Sequence, residues 1–154
     1  MRRIPRVLAG GGRTEEAFVT TQSVVTVPAT KAAIAQAAYK AYETKDRAAL
    51  EAIIADDFHF TSPLDNRIDR ATYFRRCWPN SEWIAGFDFI DVVTDGDRVS
   101  VTYEARKTDG GRFRNTEILT IRNHQIVEVE VYFGWSLPHK APEGGFVDPP
   151  SQQS

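Results

Sequence analysis

The chain has 154 residues, 42% hydrophobic and 26% charged, with a formal net charge of −2. That is enough for one soluble domain with a real core, and short for two. The near-neutral balance argues against a nucleic-acid partner, no apolar run reaches membrane-spanning length, and Cys77 as the only cysteine excludes an internal disulfide or a cysteine-rich metal site.

The first stretch, residues 1–28, carries arginines, Gly10-Gly11-Gly12 and a Thr/Val run without clear period, and is expected to be a tail or arm. Val24, Val25 and Val27 could form a short edge strand there. Arg6 and the glycines interrupt any signal-peptide core, so a cytoplasmic location is expected. Gly10-Gly11-Gly12 also lacks the lysine and the following helix of a phosphate loop.

A domain is expected over residues 29–137. Ile34, Ala35, Ala38, Ala41 and Tyr42 recur at helical spacing between Ala32 and Glu43, with Thr30 as N-cap. A second helix is expected from about Asp46 to Ala55, with Leu50, Ile53 and Ile54 as its stripe and Asp56-Asp57 closing it. Phe58-His59-Phe60-Thr61-Ser62 alternates as a strand that Pro63 stops. Asp69 caps a third helix from Arg70 to about Trp78, which Pro79-Asn80 ends. Strands follow at about 84–94, 98–107, 112–122 and 126–135. Asp95-Gly96, Asp109-Gly110-Gly111 and Asn123-His124 supply the turns between them. Residues 138–154, rich in Pro, Gly and polar side chains, read as a flexible tail. Helices first and a meander afterwards predict an α+β fold, with the helices covering one face of a curved sheet.

One residue breaks the strand pattern. Between Arg112 and Arg122, Phe113, Leu119 and Ile121 share the core-facing phase, and Asn115 and Glu117 fall in that same phase. A carboxylate aimed inward is costly without partners and has its pKa raised by burial. Glu117 is therefore either a general acid or base or a carboxylate satisfied structurally by an arginine or tyrosine. The histidines are weaker candidates: His59 alternates away from Phe58 and Phe60, His124 sits in a turn and His139 in the tail. They share no metal-ligand spacing, so neither metal nor cofactor is expected. Ser62 has no histidine in phase, which argues against a serine hydrolase.

The sequence of elements resembles a known pattern. A helix, a helix ending Ala55-Asp56-Asp57, a strand ending Ser62-Pro63, a third helix, and a meander closing on Val131-Tyr132-Phe133-Gly134 are similar to the SnoaL-like proteins of the nuclear transport factor 2 and ketosteroid isomerase superfamily. The resemblance spans about residues 30–136, and Phe60 to Asp65 with Arg75-Arg76-Cys77-Trp78-Pro79 look like one branch of that group. It implies a cone-shaped, mixed or antiparallel curved sheet enclosing a pocket with three N-terminal helices. It leaves activity open, because this fold hosts isomerases, dehydratases, epoxide hydrolases, cyclases and non-catalytic binding modules. Of the isomerase's functional positions, the base is matched by Ser62 and the helix tyrosine by Ala38, with Tyr39 and Tyr42 on other phases. The second donor, a carboxylic acid kept neutral by its apolar site, is matched by Glu117. The isomerase's own mechanism is therefore not expected here.

With that fold, strand phase places Val101, Tyr103, Asn115, Glu117, Val129, Val131 and Phe133 on the pocket face, joined by Phe58, Phe60 and Ser62. The expected catalytic set is Glu117 with Tyr103 and Asp65. Tyr103 is otherwise a strand core residue, and Leu64-Asp65-Asn66 is otherwise a polar turn. Asn115, Ser62, Trp78, Tyr42, Phe60, Val131 and Phe133 are the expected ligand contacts, and Trp83 is a further aromatic that could wall the cavity. The ligand would be a small apolar or carbonyl-bearing molecule, handled by an isomerase, dehydratase or cyclase. The competing reading is a non-catalytic module that binds a small molecule or another protein. The fold also implies a homodimer through the outer sheet face, with Glu128, Glu130 and Tyr132 there and Arg106, Arg114 or Arg122 as charge partners.

Overall fold

A computed structural model of the chain describes residues 29–150. The expected arm over residues 1–28, with Val24, Val25 and Val27, and the end of the tail at 151–154 lie outside the described residues. No helix among the described residues is long and apolar enough to cross a membrane.

Three helices lie in the first half of the chain, two before and one after the first pair of strands, each started by the capping residue its sequence supplies. Helix α1 (Lys31–Thr44) begins where Thr30 accepts from the Ala33 amide at 3.1 Å. It ends on Lys45 in the left-handed region, φ 58°. Asp46 caps α2 (Arg47–Ile53), accepting from Ala49 at 3.0 Å, and Asp69 caps α3 (Arg70–Arg76), accepting from Thr72 at 2.8 Å. A 3-10 helix, Trp78–Trp83, follows at Pro79.

The second helix is shorter than its apolar stripe suggests. Ile54 and Ala55 open strand β1 (Ile54–Ser62) instead of closing α2. Ile54 pairs with Ile126 in the sheet and is almost fully buried there, and a β-branched side chain favours that setting over a helix end. Strand β2 (Asp65–Asp69) was not expected. It folds back on β1, with Phe60 opposite Ile68, although its one apolar residue gives no alternating signal.

The meander follows the expected order: β3 (Ile84–Asp95), β4 (Arg98–Lys107), β5 (Arg112–Arg122) and β6 (Gln125–Leu137). The six strands form one open, curved sheet in the order β2-β1-β6-β5-β4-β3. Only β1 and β6 run parallel; the other pairs are antiparallel. Register shifts at Phe89/Asp91 in β3 and between Phe133 and Ser136 in β6, opposite Phe113/Asn115, mark bulges, which bend strands and increase their twist.

The helices pack into the concave face. The core between them and the sheet is built on Leu50, Phe58, Val99, Leu119, Ile121 and Ile126, each at most 1% exposed. The outer face is polar, and its charges pair within the chain. Arg114 bonds Glu104, Arg106 bonds Asp88, Arg122 bonds Asp97, and Glu128 and Glu130 take Arg67 and Arg98. The arginines expected to face a second subunit thus have partners on their own chain. Residues 138–150 belong to no helix or strand, and Phe146 and Val147 stand exposed.

Candidate active site

A cavity of about 490 Å³ lies between the concave sheet face and the helices, within the size range of small-molecule sites. Phe58, Phe60, Phe87, Phe113, Leu119 and Val131 supply much of its wall. Leu64, Phe133 and Trp135 also line it and are largely exposed, so they mark its mouth. Among the described residues, no lysine, arginine or histidine lines it; its two carboxyl groups are Glu117 and Asp65.

Glu117 does aim inward. It sits on β5 between Val101 on β4 and Val131 on β6. Tyr103 donates to Oε1 over 2.7 Å, and Tyr39, from α1, donates to Oε2 over 3.1 Å. The side chain keeps some exposed surface, but that surface faces the cavity, not bulk solvent. Removal from bulk water raises its pKa above the ordinary 4.5, and the two phenol hydrogen bonds counter that rise only in part. Burial and the neighbouring carboxylate push both phenols up as well, so Tyr39 and Tyr103 stay protonated as donors.

The local backbone holds this network in place. At the β5–β6 register shift the Gly134 amide donates to Asn115 Oδ1 at 3.1 Å, which leaves the Asn115 amide group directed at the Tyr103 hydroxyl, 3.4 Å away. Glycine is required there because a Cβ on residue 134 would lie 2.2 Å from the Arg114 carbonyl oxygen. Tyr39 is wedged edge-on against Phe87 at 5.1 Å and Tyr103 at 5.2 Å between ring centroids.

The other expected residues fall in three places. Ser62, Tyr42, Phe60, Val131 and Phe133 line the cavity, and so does Asp65 near its mouth. There Arg76 forms an ion pair with Asp65 Oδ1, and Ser62 donates to Asp65 Oδ2 at 2.8 Å. Trp78 stands behind the wall, its ring 5.0 Å from that of Tyr42. Trp83 faces outward and is 60% exposed, so it closes nothing. Val101 is fully buried in the core behind Glu117.

Two phenols in the cavity were not anticipated. Tyr39 was assigned to another helix phase, with Ala38 in the matching place; Ala38 does line the cavity, but the phenol comes from its neighbour. Ala35, Tyr39 and Tyr42 lie at i, i+4 and i+7, a spacing that puts them on one face and was readable. Tyr73 on α3 is the second; its hydroxyl lies 2.8 Å from that of Tyr42. Beside them, burial pushes the Cys77 thiol up to about 11, so it remains a neutral thiol near pH 7.

Residues 35–129 match the family model of the SnoaL-like domain, which covers more than half of the chain. The chain belongs to the SnoaL-like family. Among solved structures, this SnoaL-like chain is similar to a nuclear transport factor 2-like protein from Cytophaga hutchinsonii, at 17% identity and TM-score 0.57, over 71% of this chain and 94% of that one. It is similar to IdmH, a proposed polyketide cyclase from Streptomyces antibioticus, at 20% identity and TM-score 0.57, over 71% and 93%. AclR, a proposed hydroxylase from Streptomyces galilaeus, matches at 16% identity and TM-score 0.56, over 68% and 74%. At these identities the likeness establishes the fold. A search of curated proteins returns no match.

Chemically, the SnoaL-like cavity combines an apolar wall with a carboxyl group, Glu117, whose pKa burial raises above the ordinary 4.5. Two phenols beside it can donate hydrogen bonds. A group tuned this way can take up and return a proton within a water-poor space.

Proposed function

We propose that this protein moves a proton on an uncharged, apolar, carbonyl-bearing small molecule, in an isomerisation, dehydration or cyclisation, with Glu117 as acid and base. The observation that carries the reading is Glu117 in the cavity with one phenol on each oxygen. The absence of cationic lining among the described residues supports an uncharged ligand, since a buried carboxylate or phosphate group would find no counter-charge.

In the step envisaged, Glu117 takes a proton from the carbon beside the substrate carbonyl. The C–H electron pair moves into the C–C bond and the carbonyl electrons onto oxygen. As Glu117 becomes neutral, its hold on Tyr39 and Tyr103 weakens, and a phenol O–H can turn to the developing enolate oxygen. Glu117 then returns the proton to another atom of the product. The fold neighbours described as a proposed polyketide cyclase and a proposed hydroxylase are consistent with an enzyme-like role of this kind.

The test is proton exchange at the carbon α to the carbonyl of 2-tetralone in D₂O, followed by NMR. The wild-type chain should accelerate exchange, and Glu117→Gln should lose about 100-fold or more of that acceleration. A second reading, ligand capture without chemistry, has one observation in its favour: both Glu117 oxygens already accept a hydrogen bond. Tight binding of 2-tetralone with exchange no faster than in buffer would select it.

A further inference from the structure

Tyr42 on α1 and Tyr73 on α3 both line the cavity, and their hydroxyl oxygens lie 2.8 Å apart. Two hydroxyls joined by one hydrogen bond use one of their two protons. Neither has another side-chain or backbone partner among the described residues. The remaining O–H therefore has nothing in the protein to donate to, and a buried donor left without an acceptor costs free energy. The rings cannot easily turn the hydroxyls elsewhere. Tyr73 is 7% exposed and packs edge-on to Phe58, with centroids 5.1 Å apart. Tyr42 is held edge-on to Trp78. The pair also stands apart from the Glu117 network: no hydrogen bond joins either hydroxyl to Glu117, Tyr39 or Tyr103.

We infer that the Tyr42–Tyr73 pair is a second hydrogen-bonding station in the cavity, which donates one O–H to a neutral oxygen of the ligand other than the group that Glu117 handles. The ligand class is thereby narrowed to apolar molecules with two separated oxygen functions, such as diketones or hydroxyketones. Aromatic lining and missing cations set the rest: a flat, uncharged body between the two stations. The inference rests on the cavity being a ligand site, not on Glu117 being catalytic.

Two probes of nearly equal size separate the cases: 2,6-diacetylnaphthalene and 2-acetyl-6-isopropylnaphthalene, which differ by an oxygen in place of a methyl group. Binding is read by fluorescence titration of the full chain, wild type and the double variant Tyr42→Phe/Tyr73→Phe, which keeps both rings. The wild type should bind the diketone about three- to ten-fold more tightly than the isopropyl ketone, the worth of one neutral hydrogen bond. The double variant should lose that preference or reverse it. A single variant that also loses it identifies the hydroxyl that faces the ligand. A preference that survives in the double variant overturns the station while leaving the cavity as a ligand site. Failure of the wild type to bind either probe overturns both. Proton exchange on 2-tetralone is untouched by these outcomes, so the catalytic reading stands or falls separately.

Discussion

Tyr39 and Glu117 are 78 residues apart in sequence, yet the Tyr39 hydroxyl donates to Glu117 Oε2 over 3.1 Å inside the cavity. With Tyr103 on the other oxygen, the carboxyl group is held from a helix and from a strand at once. That double hold decides how Glu117 responds to pH and to substitution.

Glu117 should tie stability to pH with a definite sign. Its folded-state pKa lies above the ordinary 4.5, because the cavity disfavours the charged form. Between the two values the folded chain binds more protons than the unfolded one, so this group's contribution to stability falls as pH rises from 4.5 through the folded pKa. Glu117→Gln carries no charge and lacks that slope. Urea unfolding from pH 4.5 to 8 should therefore show the variant gaining on the wild type as pH rises. A stability difference that stays flat, or moves in favour of the wild type as pH rises, would contradict the assignment.

Removing either phenol should move the carboxyl pKa further up. Tyr39→Phe and Tyr103→Phe each delete a donor that favours the charged form. Carbon-13 NMR of labelled glutamate should show a higher Glu117 midpoint in each variant and the highest in the double variant. Stability should fall by about 1–2 kcal/mol per hydroxyl lost. An unchanged midpoint would mean that the phenols do not act on the carboxylate.

Asp65 is expected to be dispensable for proton transfer. Asp65 is paired with the Arg76 cation and accepts from Ser62, whereas Glu117 has only neutral phenols on its oxygens, so a proton taken up at Asp65 would break an ion pair. Asp65→Asn should alter 2-tetralone exchange by no more than about three-fold, far below the loss expected for a proton-transfer group. A hundred-fold loss would return Asp65 to the centre of the mechanism.

Gly134→Ala should be disproportionately harmful for a single methyl group. The added Cβ would press on the Arg114 carbonyl at 2.2 Å, which forces β6 away from β5. Overpacking of this kind costs about 1–3 kcal/mol. It should also disturb the Asn115 to Tyr103 contact, since the Gly134 amide anchors Asn115. Urea midpoints check the first point, and the chemical shift of the Asn115 side-chain amide checks the second.

The sequence disclosed the meander because its strands alternate and its turns carry Asp-Gly and Asn-His pairs, local signals that need no tertiary knowledge. Glu117 was legible for the same reason: a carboxylate in the apolar phase of a strand violates a pattern with period two. Strand β2 was hidden because Asp65 to Asp69 holds only Ile68 as an apolar residue; it is a strand through its pairing with β1. Ile54 and Ala55 read equally well as a helix end until the sheet claimed them. The site's other half was less legible. Tyr39 shares a helix face with Ala35 and Tyr42, a readable spacing, but matching positions through the family resemblance lands one residue away, on Ala38. The Asp65–Arg76 and Tyr42–Tyr73 contacts depend on how α3 docks against β2 and α1, which local patterns do not encode.

The most direct measurement is the pH profile of 2-tetralone exchange in the wild type and in Glu117→Gln. With Glu117 as the base, the wild-type rate above buffer should rise as pH climbs through a midpoint above 4.5 and then level off, while Glu117→Gln stays near the buffer rate at every pH. A Glu117→Gln chain that exchanges as fast as the wild type, with the same profile, would contradict the assignment of proton transfer to Glu117.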